Sequence, residues 1–214
     1  MKQSRLREQV LATARAMNAS GINRGTAGNV SARYQEGFLI TPSGLPYDHC
    51  TPRQLVRVGL DGNIVGAGKP SSEWRFHRDI YAARSEVGAI VHTHSPHATS
   101  LACLGRPIPA FHYMVAAAGG TDIRVATYAT FGSQELSDHA LVALEGRKAC
   151  LLDRHGVIAT GSDCGRALAL AVEVENLAEM YCRVLALGEP RVLDAEEMGR
   201  VLEKFRGYGP AQGS

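Results

Sequence analysis

At 214 residues, 45% of them hydrophobic, the chain is long enough for one substantial domain with a buried core, and no apolar run reaches the ~20 residues of a membrane helix. A formal net charge of +2, with Lys and Arg scattered along the sequence, leaves no electrostatic footprint for nucleic acid and points to small-molecule chemistry. Five cysteines (Cys50, Cys103, Cys150, Cys164 and Cys182), odd in number and without CxxC spacing, argue against a disulfide framework or a zinc ribbon and fit reduced thiols in a cytoplasmic protein.

Leu6, Val10, Ala14 and Met17 recur at helical spacing, so the basic N-terminus reads as a docked helix rather than a targeting segment. Residues 21–31 are turn-rich, and β-like runs follow at 38–41, 55–58 and 87–92, then at 123–127 and, as a pair, at 149–153 and 157–160. Helical patterns lie between them at 72–84, 133–144 and 165–187. A last helix at 195–205 follows an Asp194 cap with Glu197 three residues on, the spacing of a capping box. No linker, charge block or repeat divides the chain. Strands and helices interleaved by connections of varied length predict one α/β domain over 1–214, a mixed sheet with helices on its faces.

The run Val87-Gly-Ala-Ile-Val-His92-Thr-His94 carries the first chemical signal. Side chains at i and i+2 of a strand share a face, roughly 6 to 7 Å apart at the backbone, so both imidazoles can converge on one ion. His155 stands at a strand end or bulge between two apolar runs, a position from which a side chain is re-aimed into a site. Three His on separate β-segments make a plausible zinc set with a position left open for substrate. His97 and His112 are weaker candidates, and His97 is equally readable as a substrate-pocket residue or as a structural hydrogen-bonding group.

Glu73 opens a helix with Ser71 and Ser72 available to cap it, so it reads either as a favourable charge at the helix dipole or as a carboxylate beside the metal, able to act as a base. Three small-residue segments (residues 25–31, 41–44 and 71–72) offer hydroxyls, backbone N–H groups and a helix start, the parts of an anion cradle. The first matches neither the Walker nor the dinucleotide pattern. Only four lysines occur (Lys2, Lys69, Lys148 and Lys204), and Lys148 alone adjoins an apolar run, which disfavours a Schiff-base enzyme.

Together GTAGNVS, ITPSG, PSSEWRFH, VHTHSPH, HYMVAAAGG, YATFG and RHGVIA resemble the zinc-dependent class II sugar-phosphate aldolases, and within them the L-fuculose-1-phosphate aldolases, over nearly the whole chain. The resemblance implies a class II aldolase/adducin-head-like fold, a central, largely antiparallel sheet flanked by helices, and a homotetramer with sites between subunits. It implies Zn2+ bound by His92, His94 and His155, with Glu73 as a fourth ligand that becomes the acid/base when substrate arrives. Gly28, Asn29, Ser43, Gly44, Ser71 and Ser72 match phosphate-binding positions. Tyr113 matches a proton donor reaching in from a neighbouring subunit, and Tyr208 a residue of a mobile tail, from about 206, that closes over the site.

The implied reaction is reversible cleavage of a ketose 1-phosphate of the L-fuculose type to dihydroxyacetone phosphate and a small, lactaldehyde-type aldehyde. An aldolase for 5-deoxyribulose 1-phosphate or 5-methylthioribulose 1-phosphate, serving nucleoside by-product salvage, needs the same metal and phosphate residues. More remote readings are a pentulose-phosphate 4-epimerase and a non-catalytic scaffold domain. Arg154 stands where those aldolases carry a second His, a departure that bears on the aldehyde half.

Overall fold

A computed structural model of the chain describes residues 3–66 and 68–206. Among the described residues, eight strands form one sheet: β1 (Asn29–Tyr34), β2 (Gly37–Ile40), β3 (Val56–Gly59), β4 (Ile64–Val65), β5 (Ala89–Thr93), β8 (Val125–Ala126), β9 (Ala149–Leu152) and β10 (Gly156–Gly161). Their order is β4-β3-β2-β1-β5-β10-β9-β8. Neighbours pair antiparallel except β8 with β9, which run parallel, so the sheet is mixed and largely antiparallel. β6 (Ile108–Pro109) and β7 (Asp122–Ile123) make a separate two-stranded ribbon.

Period-2 alternation sends successive side chains to opposite faces, and each face has its own helices. Val30, Ala32, Ala89, Val91, Val157 and Ala159 pack with α1 (Gln3–Ala19), α3 (Pro96–Cys103) and α5 (Cys164–Leu187). Phe38, Ile40, Ile90 and Ile158 face α2 (Trp74–Ala83) and α4 (Gln134–Ala143), meeting Phe76, Ile80, Leu136 and Ala140. α6 (Ala195–Arg206) packs Met198 against Ala110 and Ala116, beside the 3-10 turn Tyr113–Ala118. Side chains cap the starts of α4, α5 and α6: Ser133 Oγ accepts from Leu136 N, Asp163 Oδ1 from Arg166 N, and Asp194 Oδ1 from Glu197 N.

Two elements depart from the sequence expectation. Residues 29–31, read as part of a turn-rich stretch, open β1, the strand between β2 and β5 at the middle of the sheet. Its α2-facing residues are Asn29, Ser31 and Arg33, so the apolar alternation that marks a buried strand is missing on that face. α3 follows β5 after two residues, with Pro96 in its first turn, and was unanticipated because its eight residues are too few to display a helical period. The five cysteines are unpaired, as expected of reduced thiols. No described helix is long and apolar enough to cross a membrane.

Arg33 fastens the C-terminal end of α2. Its guanidinium donates to the carbonyls of Tyr81 (2.9 Å), Arg84 (2.7 Å) and Val87 (2.8 Å) and lies over the Tyr81 ring. The last carbonyls of a helix have no intrahelical partner, and a cation there also meets the negative end of the helix dipole. Arg33→Met, which keeps the aliphatic stem, should lower unfolding free energy in urea by about 2 kcal/mol; an unchanged midpoint would show that the clamp is dispensable.

Candidate metal centre

β5 delivers the first two ligands. His92 is fully buried and sits between Asn29 of β1 and Ile158 of β10 in register, and His94 follows two residues on. The third comes from the turn Asp153-Arg154-His155 between β9 and β10, closed by His155 N donating to the Leu152 carbonyl at 3.0 Å. Arg154 occupies the left-handed region (φ 53°) at the apex of that turn. Two glycines permit the convergence: a Cβ at Gly28 would lie 2.5 Å from the His92 carbonyl, and one at Gly156 would lie 2.5 Å from the Thr93 carbonyl and 2.9 Å from the His94 ring.

Glu73 is the N-cap residue of α2, yet its side chain makes no capping bond. Ser71 supplies those contacts instead, its Oγ accepting from Glu73 N and its carbonyl from Trp74 N. The carboxylate turns from its own helix to the imidazoles: Oε2 lies 3.1 Å from His92 Nε2, and Oε1 lies 2.9 Å from His155 Nε2. His92 Nε2 and His94 Nε2 are 3.0 Å apart. The four ligand atoms all lie within 4.8 Å of one another.

These groups fit a metal ion better than they fit each other. His92 Nδ1 is 2.9 Å from the Val157 carbonyl, which can only accept, so Nδ1 carries the proton and Nε2 offers a bare lone pair to the carboxylate and to His94. Buried Glu73 Oε1 has no hydrogen-bond partner despite its 2.9 Å approach to His155. Ligand atoms around a tetrahedral ion with 2.0–2.1 Å bonds stand about 3.3 Å apart, close to these separations. Burial opposes the charge on Glu73, but whenever the His92 and His155 rings carry a second proton they outweigh it and hold the carboxyl far below the usual range. Burial pushes the His94 imidazole down to about 3, with His92 and His155 adding to the effect, so the ring is neutral as a ligand must be. Glu73, His92, His94 and His155 can therefore hold a metal ion.

The site opens into a cleft of about 260 Å3 lined by Ala27, Ser72, Glu73, His94, Tyr128, Ala129, Phe131, Arg154 and His155. Two of the candidate phosphate segments lie side by side: Ser43 N donates to the Lys69 carbonyl, Ser71 N to the Thr41 carbonyl, and Pro42 bridges Pro70. Ser72 reaches the cleft, Ser71 is spent on the helix start, and Gly44 (φ 69°) turns the chain after Ser43. Asn29 is buried with both side-chain groups engaged, Nδ2 donating to Glu73 Oε2 at 3.0 Å and Oδ1 meeting His77 Nε2.

Tyr113 lies outside this cleft. It is 50% exposed and borders a separate apolar groove with Phe111, Met114, Leu193 and Val201. Tyr208 falls outside the described residues. His97 bonds Glu175, whose carboxylate also accepts from the first N–H groups of α3, and His112 Nδ1 accepts from Met114 N. Sequence reasoning assigned no role to His77 or Tyr81 and grouped Ser31 with a candidate anion segment, whereas Ser31 is buried and bonded to both; their signal is the spacing Glu73-x3-His77-x3-Tyr81 on a helix opposite Asn29-x-Ser31 on a strand.

The chain matches the family described as Class II Aldolase and Adducin N-terminal domain over residues 8–182. It is 60% identical over 204 residues, covering 95% of this chain and 92% of the relative, to a 5-methylthioribulose-1-phosphate/5-deoxyribulose-1-phosphate aldolase of Rhodospirillum rubrum. It is 50% identical over 210 residues, 98% of each chain, to an L-fuculose phosphate aldolase of Escherichia coli O6:H1 (strain CFT073). A solved L-fuculose 1-phosphate aldolase superposes with a TM-score of 0.91 at 40% identity, covering 94% of this chain and 96% of that one.

The buried imidazoles set an acid limit on the fold. Burial, helped by His92, takes His77 down to about 3 from an ordinary 6.5, and His94 is likewise near 3. Below pH 6.5 the unfolded chain binds protons that these native rings refuse, so their share of stability, intact above 6.5, is lost as pH falls toward 3. In chelator-stripped protein, urea unfolding between pH 6.5 and 4.5 should show this decline, and His77→Gln should reduce its slope by about one proton. An identical slope in the variant would contradict a neutral His77.

Proposed function

Because the chain belongs to the class II aldolase and adducin N-terminal domain family, we propose that it cleaves a ketose 1-phosphate reversibly between C3 and C4, giving dihydroxyacetone phosphate and a small aldehyde. The observation that carries this reading is the convergence of a buried, non-capping Glu73 on three imidazole nitrogens in a cleft that Ala27 and Ser72, from two of the small-residue segments, also line. The intact ligand set also argues against a non-catalytic scaffold.

Zn2+ suits a set of three nitrogens and one carboxylate oxygen, and when bound it supplies Lewis-acid stabilisation of the charge that develops beside the ketone as the bond breaks. Gly28, Asn29, Ser43, Gly44, Ser71 and Ser72 are the proposed phosphate positions. Ser72 and the backbone of the 43–44 turn face the phosphate, while Asn29 and Ser71 act through Glu73 and the helix start. Anchoring the phosphate fixes which carbon lies over Glu73. In synthesis the ionised Glu73 removes a proton from C3 of dihydroxyacetone phosphate; cleavage is the reverse, the protonated carboxyl giving its proton to C3 and regaining one through solvent before the next turnover. The exposure of Tyr113 and its position outside its own cleft support it as a residue serving a neighbouring subunit's site in a homotetramer, its phenol donating a proton to the aldehyde oxygen in synthesis and the phenolate taking that proton back in cleavage.

For the aldehyde, 5-deoxyribulose 1-phosphate and 5-methylthioribulose 1-phosphate are favoured over L-fuculose 1-phosphate. Tyr128, Ala129 and Phe131 wall the cleft with apolar surface suited to a methyl or thioether, and the relative bearing those substrate names shares 60% identity. An aromatic face also attracts a thioether sulfur. Assayed for dihydroxyacetone phosphate release, the metal-loaded protein should show kcat/KM about 10-fold or more higher for these two ketoses than for L-fuculose 1-phosphate, the scale set by one apolar group in a pocket. The opposite ranking would return the assignment to the fuculose type. Interconversion of pentulose 5-phosphates without aldehyde release would replace it with an epimerase.

Glu73→Gln should retain a substantial share of the bound metal, since the three histidines remain, yet lose at least about 100-fold in turnover, the usual scale for an acid–base group. Near-normal turnover would remove Glu73 from the proton-transfer role.

A further inference from the structure

Behind Glu73 runs an unbroken chain of buried hydrogen bonds: Asn29 Nδ2 to Glu73 Oε2 at 3.0 Å, His77 Nε2 to Asn29 Oδ1 at 2.5 Å, Ser31 Oγ to His77 Nδ1 at 2.7 Å, and Tyr81 OH to Ser31 Oγ at 2.8 Å. Each of these side chains is buried. The geometry is that of two matched rulers. Residues 73, 77 and 81 repeat every four positions along one face of α2, about 6 Å apart, and Asn29 and Ser31 repeat every two along β1, about 6.7 Å apart.

The direction of every bond is fixed from one end. A carboxylate only accepts, so Asn29 must turn its Nδ2 to Glu73 and its Oδ1 to His77. His77 must then hold its proton on Nε2 and accept at Nδ1, so the Ser31 hydroxyl donates to His77 and in turn accepts from Tyr81. Burial keeps the Tyr81 phenol protonated and the His77 ring neutral, which are the states this direction requires. All the donors therefore point toward Glu73.

On the basis of the proposed aldolase reaction, we propose that His77, acting through Asn29, is a positioning residue that locks Glu73 Oε2 to the protein and leaves Oε1 as the oxygen that exchanges a proton with substrate. Both oxygens approach a ligand imidazole, Oε1 that of His155 and Oε2 that of His92, but only Oε2 also accepts a hydrogen bond, from Asn29, while Oε1 is left without one on a residue that lines the cleft. Stability alone does not account for the arrangement, since apolar side chains of similar volume would fill the space between α2 and the sheet at least as favourably. Without His77 the Asn29 amide is free to flip, and its carbonyl would then face the Glu73 carboxylate.

Two measurements test this. Nitrogen–proton correlation of the imidazole rings in the wild-type protein should show His77 neutral and protonated on Nε2; a proton on Nδ1 overturns the relay whatever the enzyme's substrate. Deuterium uptake from D2O into the hydroxymethyl carbon of dihydroxyacetone phosphate, without aldehyde, isolates the step assigned to Glu73. His77→Phe should exchange about 10- to 100-fold more slowly, with bound metal and affinity for dihydroxyacetone phosphate retained, and His77→Gln should recover most of the rate. Wild-type exchange in His77→Phe overturns the relay, as does a loss that tracks metal or folded protein and is not restored by Gln. If His77→Phe does not fold, Ser31→Ala replaces it and should slow exchange severalfold at full metal content; wild-type exchange there is equally fatal. A wild-type protein that binds metal but exchanges no deuterium sinks the proposed reaction instead, and the His77 tautomer still decides the relay.

Discussion

Four ligand atoms within 4.8 Å of one another impose the constraint around which this fold is arranged. Three imidazole nitrogens and a carboxylate present lone pairs to a shared centre, and in water each would be solvated separately. Holding them together requires backbone that cannot relax. The ligands accordingly sit on β5, on the turn closing the β9–β10 hairpin and at the start of α2, with β5 hydrogen-bonded between β1 and β10. Gly28 and Gly156 let backbone approach where any side chain would force it apart. Metal affinity and fold stability are thereby coupled, because a site assembled from distant segments exists only in the folded chain.

The same constraint explains the asymmetry of the sheet. The face toward α1, α3 and α5 is apolar across its central strands, whereas the face toward α2 gives Asn29, Ser31 and Arg33 of β1 to polar contacts. α2 is consequently fixed at three points along its length: Glu73 at its start, His77 in its middle, and the Arg33 clamp on its last carbonyls. Apolar packing by Phe76 and Ile80 supplies cohesion but tolerates rotation of a helix by some degrees. Directional hydrogen bonds do not, and in the proposed reaction a carboxylate that meets both a metal and a substrate proton depends on that difference.

Much of this was legible in the residues. The His-Thr-His spacing at the end of an apolar run, His155 between two such runs, and the capping signal at Asp194 each follow from local pattern, and the α/β class follows from interleaving. β1 was not legible for the reason that makes it functional: its inner face is polar, so the strand signal is absent there. Glu73 was ambiguous because a carboxylate at a helix start is satisfied equally by the dipole; only the geometry, with Ser71 taking the cap and Glu73 turned outward, separates the two readings. His77 was hidden because a lone histidine gains meaning only when Asn29, 48 positions away, is placed beside it.

The two ends of the cleft differ in how firmly they are built, and in the proposed reaction that difference separates chemistry from specificity. The proposed phosphate segments are tied by backbone hydrogen bonds between residues 41–43 and 69–71, close to the sheet and to α2. Another wall is a loop: Phe131 is 66% exposed, and Tyr128 stacks against Arg154, itself at the apex of a turn in a left-handed conformation. Few buried contacts hold these side chains, so changing them leaves the ligand set and the Glu73 relay in place. A methyl or thioether against such a wall discriminates by only about 1 to 3 kcal/mol. Under the proposed reaction, relatives named for different ketose phosphates can therefore share half or more of their residues with this chain, since a few side chains on a loop would suffice to change which aldehyde leaves.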